Sequence, residues 1–205
     1  MLSAQRFQEL AAAYPRLRVA VVGDFCLDRY LEIDGSRAEL SIETGLPVYN
    51  VTRVRAQPGG AGTIVNNLVA LGIGAVHIVG FCGDDGEGYE LRRALSALRG
   101  VQVDHFLTTP LRATFTYTKP LLQLPGEPPR ELNRLDIKNH TATPCELQEE
   151  LAARVRALAS RVDAMILLDQ VDEADTGVVG RKVLEAIGEI AGKQPGLWIL
   201  ADSRR

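Results

Sequence analysis

Short apolar runs alternate with stretches of helical period along most of this chain. Arg18 to Phe25 (RVAVVGDF) is a β-branched run ending near Gly-Asp and predicts a buried strand. Pro58 to Leu71 begins with PGG, continues at helical spacing and is closed by Gly72. Val76 to Phe81 predicts a second buried strand, with a helix from about Gly86 to Arg99 behind it. Val101 to Leu107 reads as a further short strand. Pro144 to Ser160 has an N-terminal proline and then Leu147, Leu151, Val155 and Leu158 on one helical face. Ala164 to Leu168 is another core strand, Asp175 to Ala191 a helix, and Leu197 to Ala201 a last strand. Near-continuous apolar strands separated by helices imply a parallel sheet covered on both faces, in an α/β fold.

Two segments break this rhythm. Residues 31–57 hold short alternating pieces such as LPVYNV, interrupted by Gly35, Gly45 and Pro47. Residues 112–136 read as two strands, ATFTYTKPLLQ and ELNRLDIKN, joined by the turn-rich LPGEPPR. Together they predict a small antiparallel sheet inserted into the α/β domain, placed to act as a lid over the strand ends.

Bulk properties narrow the function classes. The chain has 205 residues, enough for one domain with a small lid, and a formal charge of −3. That balance argues against a surface built for nucleic acid and leaves room for a local phosphate-binding pocket. Cys26, Cys82 and Cys145 are odd in number, widely spaced and without a C-x-x-C pair. A disulfide framework or thiolate zinc site is not expected, and reduced thiols fit a cytoplasmic protein. No apolar run approaches the ~18 residues of a membrane span, so no membrane partner is expected. The start MLSAQRFQEL reads as a short amphipathic helix rather than a signal peptide. The end, LWILADSRR, is a strand running into its C-terminal loop, where ligands bind in open parallel sheets. The expectation is that this is the amino-terminal part of a larger domain.

Several residue groups could carry chemistry. Asp24 and Asp28 follow the first strand, and a carboxylate there can accept hydrogen bonds from neighbouring sugar hydroxyls; the plainer reading is a turn or helix cap. PGGAG (Pro58 to Gly62) opens a helix, where paired glycines let a ligand reach the backbone amides; the plainer reading is a tight loop. It is neither a P-loop nor a dinucleotide fingerprint, which argues against an unrelated Rossmann-like nucleotide binder. Asp84 and Asp85 in FCGDDGEG read better as helix caps than as metal ligands. Asp169 and Asp202 end strands on the side expected for a pocket, with Arg204 and Arg205 positioned to meet phosphate. His77, His105 and His140 lack ligand spacing.

The ordered set GDFCLDRY, SIETGLPV, PGGAGTIVNNLVALG, VGFCGDDGEG, NRLDIKN, LLDQ and LADSR resembles the ribokinase-like (PfkB) carbohydrate kinases, nearest the heptose-phosphate kinase branch, from about residue 15 to 205. The resemblance implies a three-layer α/β/α fold with a mostly parallel sheet and a β lid. It also implies ATP- and Mg2+-dependent phosphorylation of a sugar or sugar phosphate, with a monovalent cation as a further expected cofactor. By the same resemblance Asp28 holds substrate hydroxyls, Gly59 and Gly60 line the sugar site, and Asn67 is a polar position on the following helix. Glu43 and Arg134 fall in lid segments that close over the substrate, and the lid sheet is expected to pair two subunits. Thr63 stands where relatives usually carry a substrate-contacting Asn. Asp172 stands where heptose-phosphate kinases often carry Lys, a lost cation that counts against a phosphorylated substrate. The family's Gly-Ala-Gly-Asp motif, which supplies the anion hole and the catalytic Asp, has no copy in the sequence. The 205-residue chain alone is therefore expected to be inactive, and the alternative is a non-catalytic sugar-binding or regulatory module on the same fold.

Overall fold

Alternation along the first strand divides the interior in two. Ala20 and Val22 point into one apolar cluster and Val21 into another, and all three are fully buried. A strand with both faces dry needs helices on each side, and the chain supplies them. The computed structural model describes residues 3–37 and 39–204. It opens with α1 (Ala4–Ala11), followed by β1 (Arg18–Gly23), β2 (Phe25–Asp34), β3 (Glu39–Leu40), β4 (Pro47–Val48), β5 (Val51–Gly60) and α2 (Ala61–Ala70). Then come β6 (Ala75–Gly83), α3 (Gly86–Ser96), β7 (Val101–Gln102), β8 (Phe106–Thr109), β9 (Thr116–Gln123), β10 (Arg130–Glu131) and β11 (Leu135–Ile137). The chain finishes with α4 (Cys145–Leu158), β12 (Ala164–Asp169), α5 (Arg181–Lys193) and β13 (Trp198–Ser203).

The central sheet has the order β13-β12-β1-β6-β7, with β8 also beside β6, and every pairing in it is parallel. Leu147, Leu151 and Val155 of α4, with Val183 and Ile190 of α5, cover one face. Ala61 and Val65 of α2, with Leu91 and Leu95 of α3, cover the other. This is the three-layer α/β/α architecture expected. Asp85 caps α3, accepting from the Gly88 amide at 2.7 Å and from Thr114 Oγ1 at 2.6 Å, so its role is structural as anticipated. Among the described residues no helix is long and apolar enough to cross a membrane.

The second sheet, order β10-β9-β2-β5 with β11 also on β9, corrects the expectation in three ways. It starts at Phe25 rather than about residue 31, so Asp28 lies inside a strand and not in the loop after β1. Pro58, Gly59 and Gly60 complete β5 instead of opening a helix, and α2 begins at Ala61. It is mixed rather than antiparallel, because β2 pairs antiparallel with β5 but parallel with β9. Two smaller corrections concern the central domain. The strand expected over Val101 to Leu107 is two strands, β7 and β8. The helix expected from Asp175 starts only at Arg181. Residues 175–180 form a loop, with Asp175 at φ 61°.

Buried polar contacts fix the second sheet to the first. Arg112 is 7% exposed. It donates from Nη2 to the carbonyls of Thr141 (2.7 Å) and Thr176 (3.0 Å), and from Nη1 to Thr141 Oγ1 (3.0 Å). The Asn139 side chain accepts from the Ala113 amide and donates to its carbonyl (3.1 and 2.9 Å). The chain thus runs into β9 and returns from β11 through one clamped point. On the α3 side, Arg29 of β2 pairs with Glu87 and Glu90 (3.4 and 3.6 Å). Leu151→Ala, at the fully buried centre of α4, should lower unfolding free energy by about 2–5 kcal/mol in urea titrations. Leu184→Ala, on the exposed side of α5, should stay within about 0.5 kcal/mol. Equal effects would contradict the helix orientations described here.

Candidate functional site

Strand alternation and register build one polar face. On β2, Cys26, Asp28 and Tyr30 share a side. The parallel register sets Tyr117 beside Asp28 and Lys119 beside Tyr30. Antiparallel β11 sets Asp136 beside Tyr117, and alternation brings Arg134 and Lys138 to the same side. Where this face meets the carboxyl ends of the central strands lies a hollow of about 240 Å³. Cys26, Asp28, Gly60, Tyr117, Lys119 and Arg134 line it from the second sheet, and Gln170 and Arg204 from the first. Gly59 packs directly on Asp28, and a side chain there would collide with Asp28 Oδ2. Gly60 has φ 57°, and a side chain there would strike the Asp24 carbonyl, so both glycines are required by the close approach of β5 to β2.

The electrostatics are dominated by cations. Lys119 Nζ donates to Asp28 Oδ1 at 3.0 Å and to the Tyr30 hydroxyl at 3.4 Å. Burial works against the ammonium, but these bonds outweigh it and hold the Lys119 pKa above its ordinary value. Arg134 grips Asp136 through Nε and Nη2, both at 2.7 Å, and lies over the Tyr117 ring at 5.0 Å. Arg204 donates from Nη1 to Asp172 Oδ1 at 3.1 Å. With the amide oxygen of Gln170 turned toward it, Arg204 also donates from Nε and Nη2 at 3.1 and 2.7 Å. Burial, then the neighbouring Asp28, push the Cys26 thiol up to about 12, so it lines the hollow as an inert neutral group.

Of the residues singled out in the sequence, Asp28, Gly59, Gly60, Arg134 and Arg204 come together here. Thr63 and Asn67 are exposed on α2 and do not line the hollow, nor does Glu43, exposed in the turn between β3 and β4. Asp169 is buried at the end of β12, accepting from Ser203 Oγ at 2.9 Å, and Asp202 is exposed on β13. Arg205 lies outside the described residues. Lys119, Tyr117, Cys26 and Gln170 were missed. The alternation in TFTYTK marks Tyr117 and Lys119 as one face, but only the pairing with β2 reveals which face.

No family model matches the chain. Among curated proteins it is 31% identical, over 188 residues and 92% of its length, to the bifunctional protein HldE of Geotalea uraniireducens, of which it covers 36%. Among solved structures it matches the Arabidopsis thaliana ribokinase complexed with ribose and ATP (TM-score 0.53, 15% identity, 92% of this chain and 54% of that one). It also matches a ribokinase II from E. coli in complex with ATP and Mg2+ (TM-score 0.55, 18% identity, 92% and 53%). The chain belongs to the ribokinase-like carbohydrate kinase family. It spans about a third of the length of the curated relatives it matches and about half that of the solved structures. The family assignment made from the ordered motifs is borne out.

In this ribokinase-like chain a single residue, Asp24, carries the backbone from β1 of the first sheet into β2 of the second, and it is 4% exposed. Oδ1 accepts from the Val178 amide at 2.7 Å and Oδ2 from the Gln170 amide at 2.8 Å. Its carbonyl accepts from the Ala61 amide at 2.9 Å. Asp24 therefore touches the backbone on both sides of the hollow, beside Gly60 and at Gln170. Burial raises its pKa to about 6, partly offset by the amides. A raised folded pKa contributes stability that is fully present below the unfolded value and lost as pH rises through about 6. Asp24→Asn abolishes that titration. In urea titrations the stability advantage of wild type over Asp24→Asn should be larger at pH 5 than at pH 7 by about 1 kcal/mol. An advantage that is flat across this range would contradict the assignment.

Proposed function

We propose that this chain carries the sugar-binding and lid portion of an ATP-dependent carbohydrate kinase acting on a sugar or sugar phosphate. The observation that carries the reading is the convergence of Asp28 and the Gly60 backbone on one hollow, with Lys119, Arg134 and Arg204 around it. Asp28 Oδ2, beside Gly59, accepts a sugar hydroxyl, while Oδ1 stays pinned to Lys119. Each of the three cations is paired with a carboxylate, Lys119 with Asp28, Arg134 with Asp136 and Arg204 with Asp172, so the lining accommodates a neutral sugar as well as a phosphorylated one. The second sheet acts as the lid, and its closure over the hollow excludes water from the transfer. Mg-ATP, when bound, supplies the phosphoryl group. Among the described residues no cluster of three or more His, Cys, Asp or Glu could hold a metal, so no residue of this chain is assigned to Mg2+.

The direct test uses the product of the reading frame that contains this chain. Incubated with Mg-ATP and a panel of pentoses, hexoses, heptoses and their phosphates, it should yield a new phosphate ester by 31P NMR. ATP hydrolysis with no sugar phosphorylated would sink the kinase reading. Sugar binding without turnover would favour the non-catalytic module. By titration calorimetry, Asp28→Ala should weaken sugar or sugar-phosphate binding at least about ten-fold, as expected when a charged hydrogen-bond partner is lost.

The lid sheet leaves an apolar outer surface. Val51 and Val54 of β5 and Leu135 and Ile137 of β11 are exposed, as are Leu40, Ile42, Leu46 and Tyr49 in and around the separate β3–β4 hairpin that precedes β5. A second copy of the chain is the proposed cover, because β5 also presents an unpaired strand edge beside these residues. Light scattering should give a dimer mass for wild type and a monomer mass for the double variant Ile42→Asp, Leu135→Asp. A monomeric wild type would remove the proposal.

A further inference from the structure

Each cation around the hollow is paired with a carboxylate, and that of Arg204 is Asp172. Asp172 follows β12 and sits between the two sheets. Its Oδ1 takes Arg204 Nη1 at 3.1 Å, and its Oδ2 takes Lys138 Nζ at 2.9 Å. Arg204 lines the hollow of about 240 Å³. Lys138 and Asp172 line a neighbouring one of about 160 Å³ that shares Tyr117 with it. Lys138 lies 3.5 Å from Asp136, which already holds Arg134. Arg134, Asp136, Lys138, Asp172 and Arg204 thus form one chain of alternating charge running from the lid to the end of β13.

We propose that Asp172 is a specificity-determining residue, a built-in counter-anion that lowers the affinity of this hollow for multiply charged phosphate groups relative to neutral polyols; this rests on reading the hollow as the acceptor site. All three nitrogens of the Arg204 guanidinium are engaged, Nε and Nη2 by Gln170 and Nη1 by Asp172, so the carboxylate of Asp172 stands against any anion that approaches the remaining N–H groups. An incoming phosphate must displace Asp172 from Arg204 or bind beside its negative charge. Either way the anion is penalised, and a neutral sugar is not. Lys119 likewise carries a counter-anion, Asp28 at 3.0 Å, but Asp172 alone of the two stands outside the hollow's own lining and ties Arg204 to Lys138. Asp172 is about half exposed, so the penalty acts on ligand charge more than on folding.

The experiment is titration calorimetry on the 205-residue chain with inorganic phosphate, mannose 6-phosphate and mannose, at low and high salt. Asp172→Asn should tighten phosphate and mannose 6-phosphate about three- to ten-fold at low salt, the size of effect a unit charge exerts within about a Debye length. The gain should shrink at high salt, and mannose binding should not change. Asp172→Glu, which keeps the charge, should bind like wild type. Unchanged or weaker phosphate binding in Asp172→Asn overturns the proposal. If Lys119→Met abolishes phosphate binding while Asp172→Asn has no effect, the acceptor-site reading stands and this proposal alone falls. If neither phosphate nor sugar binds any of these proteins, both fall.

Discussion

The whole arrangement turns on a buried carboxylate, Asp24, that has no ion-pair partner among the described residues and is held by backbone amides. Asp24 is the only residue between the last position of β1 and the first of β2, so it must serve two sheets at once. Its oxygens are satisfied by the amides of Gln170 and Val178, and its carbonyl by the first amide of α2. A buried charge held by amides alone is tolerated because each short bond returns part of the lost hydration. The result is a rigid node from which Gly60 and Gln170, on opposite walls of the hollow, are both suspended.

From that node the site follows by simple periodicity. Successive residues of β2 face opposite ways, so Asp28 and Tyr30 turn toward the hollow while Leu27 joins the core and Arg29 meets α3. The same rule on β9 and β11 delivers Tyr117 and Lys119, then Arg134 and Asp136. Apart from Arg134, which immediately precedes β11, the polar groups of the second sheet that line the hollow stand on strands. A site on paired strands holds its geometry better than one on a mobile connection.

The parallel layers were legible because dry strands such as RVAVVG and AMILLD are continuous apolar runs, and helices such as α4 keep strict spacing. Asp28, Gly59, Gly60, Arg134 and Arg204 were legible through their motifs. What failed was long-range. The parallel pairing of β2 with β9 joins residues about ninety positions apart, as Asp28 and Lys119 do, and nothing local encodes it. The stretch from Asp175 to Gly180 was read as the start of the helix that runs to Ala191, but its backbone groups are taken elsewhere. Thr143 accepts nothing from it; instead Thr143 donates to the carbonyls of Asp175 and Gly177, and Asp24 takes the Val178 amide. Arg112 was invisible for the same reason, since its partners Thr141 and Thr176 are remote in sequence.

Periodicity also shows why the register of the lid must be held so firmly. The side-chain period of a strand is two, so a slip of one residue exchanges its faces. Such a slip in β2 would drive Asp28 into the apolar layer under α3 and turn Leu27 toward the hollow. An unpaired carboxylate in that layer would be strongly destabilising. Three contacts oppose it. Gly59 accepts the Asp28 carboxylate only where no side chain intervenes, Arg29 needs Glu87 and Glu90 on the opposite face, and Arg112 with Asn139 fixes where β9 begins. A slip of β2 would break the first two directly, and the third keeps β9 in place as the partner against which β2 is registered. The sheet's register and the composition of the hollow are therefore one constraint, because the shift that would turn Asp28 away from the hollow is the same shift that would bury an unpaired carboxylate.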